Sequence, residues 1–347
     1  MRILLIKTSS MGDVIHTLPA LTDAGRMMPG IRFDWVVEES FTEIPAWHPM
    51  VDRVIPVALR RWRNKIFSRE TRQEWQRMRE QLNQYSYDLI LDAQGLVKSV
   101  WLSYWVKGVR VGLDWRSARE SLASWAYQKK YSVNFYQHAV IRMRQLFSQA
   151  LNYTLPQHSP DFGIDVKQFI HYHSGENYVV FLHGTTWETK QWPEIYWVQL
   201  ANKIKQTGYR IKVSGGSAGE IARAHRIATQ CDAVDVLPKL TILKAAELLA
   251  NARAVVTVDT GLGHLAAALG VPTVSLYGST NPHYTGALGK YSVHLAAQFP
   301  CAPCLNRRCH YKKPSVVAPA CYTTVMPQAV FTAVMEIMKR ENIVDDN

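Results

Sequence analysis

At 347 residues the chain exceeds the usual size of one hydrophobic core, so two domains of ordinary size are expected. Its 40 Lys and Arg against 28 Asp and Glu leave a net charge of +12, which predicts attraction to polyanions: nucleic acid, an anionic membrane face or phosphorylated substrates. No run approaches the roughly 20 apolar residues of a bilayer span, and five cysteines in so long a chain do not make a secreted disulfide framework, so a cytoplasmic protein with reduced thiols is expected.

The opening "MRILLIKTSSMGD" has a short apolar run broken by Lys7 and no small-residue cleavage site, so it does not read as a signal peptide. Residues 3–6 read as a first strand, and "KTSSMGDVIHTLPAL" as the turn into a helix. Asp13, the first acidic residue, follows small residues that bring backbone close to a ligand. At the carboxyl end of a strand it can accept a proton from an incoming hydroxyl, or it can cap the helix. Helical spacing runs from Val14 to Met28 and from Glu70 to Leu82, with apolar β-branched runs at 33–37, 53–57, 88–95 and 109–113.

The stretch 59–80 carries eight basic and three acidic residues, with Trp62 and Trp75 among them. Arg60, Arg61, Arg63 and Lys65 stand too close together for one helix face and suggest a mobile basic loop; Lys98, Arg110, Arg116 and Arg119 add charge further on. Arginine forks match phosphate and carboxylate oxygens, so a multiply anionic acceptor fits. The same mixture of cations and aromatics suits nucleic acid, yet no nucleic-acid module accompanies it.

After a polar interval the pattern restarts at "YVVFLHG" (178–184) and continues through 209–216, 233–238, 254–261 and 273–278. Consecutive apolar residues are those of strands buried on both faces, so the fold class is α/β: two doubly wound halves with a ligand cleft expected between them. Three strands of the second half end in small or hydroxyl residues, "HGTT" at 183–186, "SGGSAGE" at 214–220 and "DTGLGH" at 259–264, where backbone amides and helix N-termini attract phosphate. The last spells G-x-G-x-x-A, but a dinucleotide site also needs an acidic residue about 20 positions on. None occurs between Asp259 and Glu336, so Thr260, Gly261 and Gly263 read as a phosphate cradle and Asp259 as a hydroxyl acceptor, with helix capping by Asp259 or Thr260 as the plainer alternative. Lys190 precedes a helix and can supply a point charge to a leaving pyrophosphate, or it is a solvated surface lysine. Glu220 closes a capping box with Ser217 and can also reach a ribose.

"KTSSMGDVIHTLPAL", "RRWR", "HGTTWETKQWP" and "DTGLGHLAAALGVPTVSLYGSTNPHYTGALG" together resemble the ADP-heptose transferases of glycosyltransferase family 9, from residue 1 to about 290. The resemblance implies the GT-B architecture, two Rossmann-like domains facing a central cleft: an acceptor domain at 1–155, a linker at 156–176, a nucleotide-sugar domain at 177–325, and a C-terminal helix and tail at 326–347. It implies inverting transfer of heptose from ADP-L-glycero-β-D-manno-heptose to the 5-hydroxyl of Kdo on Kdo2-lipid A, with the protein peripheral on the cytoplasmic face of the inner membrane. By the matching motifs Asp13 would be the base and Lys190 would steady the departing ADP. Ser10, Met11, Gly12, Thr185, Thr186, Glu220 and the run Asp259, Thr260, Gly261, Leu262, Gly263 and His264 would hold the donor. Arg60, Arg61, Arg63, Lys65, Lys98, Arg116 and Arg119 would meet the acceptor's phosphates and carboxylates.

No catalytic metal or cofactor is required, because a helix dipole and a lysine can neutralise the pyrophosphate. Cys301, Cys304, Cys309 and Cys321 read first as free or packing thiols, with a closed structural zinc site as the alternative. His16, His138, His183 and His264 are scattered without metal-ligand spacing. The rivals are a family member adding a later core heptose and, from another class, a nucleic-acid-binding protein; no nucleic acid partner is expected.

Overall fold

The computed structural model describes residues 1–65, 67–170 and 177–345; Ile66 of the basic stretch, 171–176 of the expected linker and 346–347 of the expected tail lie outside the described residues. The chain divides into two compact units, Met1–Ile164 and Asp165–Asn347.

In the first unit the apolar runs become a parallel sheet of β1 (Arg2–Ile6), β2 (Arg32–Glu38), β3 (Val51–Val57), β4 (Leu89–Asp92), β5 (Arg110–Leu113) and β6 (Lys129–Tyr131), ordered β3-β2-β1-β4-β5-β6. Leu4 pairs with Asp34 on one side and Ile90 on the other. The order reverses direction between β1 and β4, and at such a point the loops leaving the carboxyl ends diverge and open a crevice for ligands. Leu4, Ile6, Val36 and Ile90 share a core with Trp62, Met78 and Leu82. That core explains why residues read as a mobile loop begin as a helix, Leu59–Trp62: the Trp62 indole is buried and pegs the turn down. The single helix expected from Val14 is two, Met11–Ile15 and Leu18–Met27, because Pro19 lacks the N–H of a helix interior and instead opens the second.

Residues 156–163 of the polar interval are folded onto the first unit. Arg144 binds the buried Asp23 and also donates to the carbonyls of His158 (3.2 Å) and Pro156 (3.0 Å). Gly163 stands at φ +64, and a Cβ there would come within 2.5 Å of His48 Nε2, so this position requires glycine. His48 Nδ1 accepts from the Met50 N–H (3.2 Å), which turns Nε2–H toward Thr22 Oγ1 (3.0 Å) and fixes a neutral ring. Burial pushes its pKa from 6.5 down to about 4. Across that window the unfolded chain takes up a proton that the folded chain refuses. Stability should therefore rise with pH, and fall by about 1.4 kcal/mol per unit as pH drops below the unfolded pKa. Urea unfolding of wild type and His48→Gln at several pH values checks this; an unchanged slope in the variant would remove His48 as the source.

The second unit repeats the plan with β7 (Tyr178–Leu182), β8 (Arg210–Val213), β9 (Val234–Val236), β10 (Ala254–Val258), β11 (Thr273–Tyr277) and β12 (Ser292–Ala296), all parallel in the order β12-β11-β10-β7-β8-β9. Its reversal lies between β7 and β10. Phe181, Trp192 and Trp197 centre the core, and the helix Pro327–Asp345 adds Val330, Val334 and Ile337 to it.

Candidate active site

In the first unit, the turn after β1 is built by its neighbours. Gln94, just past β4, accepts from the Thr8 and Ser9 N–H groups (2.9 and 3.2 Å), the Trp35 indole donates to the Lys7 carbonyl (2.9 Å), and Lys7 Nζ donates to the Ala93 carbonyl (3.0 Å). Asp13 emerges from this turn. Its Oδ2 accepts from the Ser10 N–H (2.8 Å) and Oγ (2.9 Å), so the capping box is real. Burial alone would raise the carboxyl pKa, but the Lys7 ammonium, the two Ser10 bonds and Arg119 together hold it below the usual carboxylate range. Capping and a catalytic carboxylate are therefore compatible here.

Of the expected acceptor residues, the structure brings Arg119 into the field of Asp13 and Lys7. Arg60, Arg63 and Lys65 are exposed after β3, Lys98 is exposed on the helix Val97–Ser103, and Arg116 is exposed beyond β5. Arg61 is already engaged: its guanidinium bonds Glu39 (2.9 Å) and Glu74 (2.9 Å). Two cations near Asp13 escaped the sequence reading. Lys7 looks like a break in an apolar run yet is buried, and Arg142, on the helix Ala139–Leu151, acts electrostatically on Asp13 while donating to the Ser117 carbonyl (3.0 Å).

In the second unit, Lys190 Nζ and Asp259 Oδ2 form a 2.7 Å ion pair at the carboxyl ends of β7 and β10. Thr280 Oγ1 donates to the same oxygen (2.7 Å), and His264 Nε2 stands 3.7 Å from Oδ1. Burial would raise the Asp259 pKa; the His264 bond and the Lys190 charge overcome it and hold the carboxyl far below the ordinary range. Asp259 is thus not a helix cap. Thr260 takes that position, without a side-chain cap bond, at the head of the helix Gly261–Ala268. Gly263 lets this helix approach β10, since a Cβ would lie 2.6 Å from Thr257 Oγ1; Leu262 and His264 flank it.

Thr185 Oγ1 donates to the Asp259 carbonyl (3.3 Å), and Thr186 beside it is exposed. Glu220 Oε2 accepts from the Gly216 and Ser217 N–H groups (2.8 and 3.1 Å), while its other oxygen lies against Gly184. Sequence reasoning also missed Trp187, whose ring faces Lys190 Nζ at 4.5 Å and Arg307 at 5.5 Å.

The family model described as glycosyltransferase family 9 (heptosyltransferase) matches residues 75–314. Lipopolysaccharide heptosyltransferase 1 of Pseudomonas aeruginosa is 54% identical over 342 residues, covering 96% of both chains. The chain belongs to glycosyltransferase family 9, the heptosyltransferases. Among solved structures, E. coli heptosyltransferase WaaC with ADP matches at TM-score 0.87 and 43% identity over 97% of this chain and 100% of that one. WaaC with ADP-2-deoxy-2-fluoro heptose matches at 0.82 and 43%, over 97% and 99%. The GT-B expectation of two doubly wound α/β sheets is met by this heptosyltransferase. Its cysteines are free thiols, and among the described residues no group of three or more His, Cys, Asp or Glu is placed to hold a metal ion. Burial, first, and then the neighbouring Cys301, Cys309 and Cys304, raise the Cys321 thiol to about 11.

Proposed function

We propose that this heptosyltransferase moves L-glycero-D-manno-heptose from ADP-L-glycero-β-D-manno-heptose to the 5-hydroxyl of Kdo on Kdo2-lipid A, inverting the anomeric carbon. The observation that carries the reading is the Lys190–Asp259 pair at the head of a glycine-bearing helix. It sets a cation for a diphosphate beside an ionised carboxylate for sugar hydroxyls. The names of the similar proteins and their ADP ligands support the same donor.

In the transfer, the bond from the anomeric carbon to the phosphate oxygen breaks and its electron pair leaves with ADP. Lys190 and the amides opening the helix Gly261–Ala268 stabilise that charge. Asp259 accepts from heptose hydroxyls, Thr185 and Thr186 line the donor, and Glu220 meets the ribose through the oxygen not used in its capping box. The Kdo hydroxyl forms the new bond and gives its proton to Asp13. Ser10, Met11 and Gly12 bring backbone against the sugar. Arg60, Arg63, Lys65, Lys98, Arg116 and Arg119 meet the acceptor's phosphates and carboxylates, and Arg61, tied to two glutamates, fixes the turn that carries its neighbours. No helix among the described residues is long and apolar enough to cross a membrane; with a lipid acceptor, the enzyme works as a peripheral protein on the cytoplasmic face of the inner membrane.

Mass-detected transfer with two acceptors tests this. Kdo2-lipid A should gain one heptose, and an acceptor already bearing a heptose should gain none. The opposite outcome would assign the enzyme to a later core position.

A further inference from the structure

One face of the first unit exposes large aromatic side chains that its fold does not need. Trp115, beyond β5, and Trp125, on the 3₁₀ turn Ser121–Ala126, stack with ring centroids 5.7 Å apart and planes 24° from parallel, yet they remain 48% and 71% exposed. Leu122 is 56% exposed and lies three residues before Trp125, one turn of a 3₁₀ helix, so both point the same way. Tyr104, 60% exposed, continues the patch through Arg110, which lies over its ring at 4.7 Å and donates to the Ala126 carbonyl (3.4 Å).

Cations are interleaved with these rings. Trp115, Trp125, Arg116 and Lys130 line a cavity of about 420 Å3, and Lys129 stands beside them on β6. The carboxylates here are turned to backbone: Asp114, which also lines the cavity, accepts from the Ser117 N–H (2.8 Å), and Glu120 from the Val97 N–H (2.8 Å). Lysines on an edge strand guard against sheet-to-sheet pairing, which accounts for Lys129 and Lys130. It does not account for two stacked, exposed indoles and a leucine.

Indole and phenol rings settle where hydrocarbon meets headgroups, and basic side chains beside them are drawn to anionic lipid. We propose that this face, Trp115, Leu122, Trp125 and Tyr104 with Arg110, Arg116, Lys129 and Lys130, docks the enzyme on the surface of an anionic phospholipid bilayer. The inference rests on the proposed membrane-borne acceptor, and it names the face that meets the membrane.

Vesicle flotation of the full chain reads docking alone. The enzyme should float with phosphatidylcholine–phosphatidylglycerol vesicles, and far less with phosphatidylcholine alone or in high salt. Leu122→Ser with Trp125→Ser, and separately Lys129→Glu with Lys130→Glu, should each weaken partition by about tenfold or more. Retained ADP binding and circular dichroism will show that both variants fold, and heptose transfer to a water-soluble, deacylated acceptor should stay at the wild-type level. Flotation of either variant like wild type, wild-type binding equal on neutral vesicles, or no wild-type flotation would each overturn the docking face. Loss of transfer to the soluble acceptor in wild type would instead strike the proposed reaction.

Discussion

Asp13→Ala is expected to lower turnover by roughly 10²–10⁴ while ADP affinity stays near wild type. In the proposed transfer the carboxylate has two jobs, and the variants separate them. As a cap it accepts from the Ser10 N–H and Oγ, so alanine should also cost about 1 kcal/mol of stability. Asp13→Asn keeps an oxygen for those donors but loses the charge beside Lys7 and cannot take up a proton; it should hold the capping share of the stability and lose the turnover. Because Lys7, Ser10 and Arg119 hold the carboxyl below its usual range, Asp13 is ionised at every pH near neutrality. Lowering the pH from 7 toward 5 should therefore cost no activity through this group. So acidic a group is a weak base; in the proposed transfer it would act late, once the acceptor hydroxyl has begun to bond to an oxocarbenium-like carbon and has itself become acidic. Near-normal turnover in the asparagine variant would take the base role away from Asp13.

How much of this was legible in the sequence depends on range. β1 after Arg2 and β7 are apolar at successive positions, the pattern of strands in a parallel sheet covered on both faces, so the architecture could be read directly. β6 and β12 could not: "KKY" and "SVHLA" carry no continuous apolar run. The same limit governs the site. Gly263 of "DTGLGH" makes room for the Thr257 side chain six residues back and leaves a local pattern. Thr280 reaches Asp259, and Arg307 reaches the ring of Trp187, only through the convergence of loops from different strands. Charge counting shows the opposite failure. Arg61 reads like its neighbours, but Glu39 and Glu74 arrive from elsewhere in the fold and occupy its guanidinium.

Lys190→Met should lower turnover by about 10²–10³, the usual loss when one preorganised donor to a developing charge is removed. The variant also strands Asp259. That carboxylate is 8% exposed, and without the ammonium 2.7 Å away it keeps Thr280 and His264 among the described residues. Breaking one side of a buried pair typically costs 3–5 kcal/mol; with these two partners remaining, the loss should be smaller, on the order of 2 kcal/mol. Stability and chemistry come apart in the double variant. Lys190→Met with Asp259→Asn removes the stranded charge, so the unfolding midpoint should recover toward wild type while turnover stays low, a non-additivity expected of groups in contact. Lys190→Arg should recover part of the turnover, limited by a planar fork where a point charge fits. Wild-type transfer should continue in EDTA if, as proposed, lysine and helix amides neutralise the diphosphate, and magnesium should not rescue Lys190→Met. Full turnover in the single variant, or its rescue by magnesium, would mean that the charge on departing ADP is met by something other than this lysine.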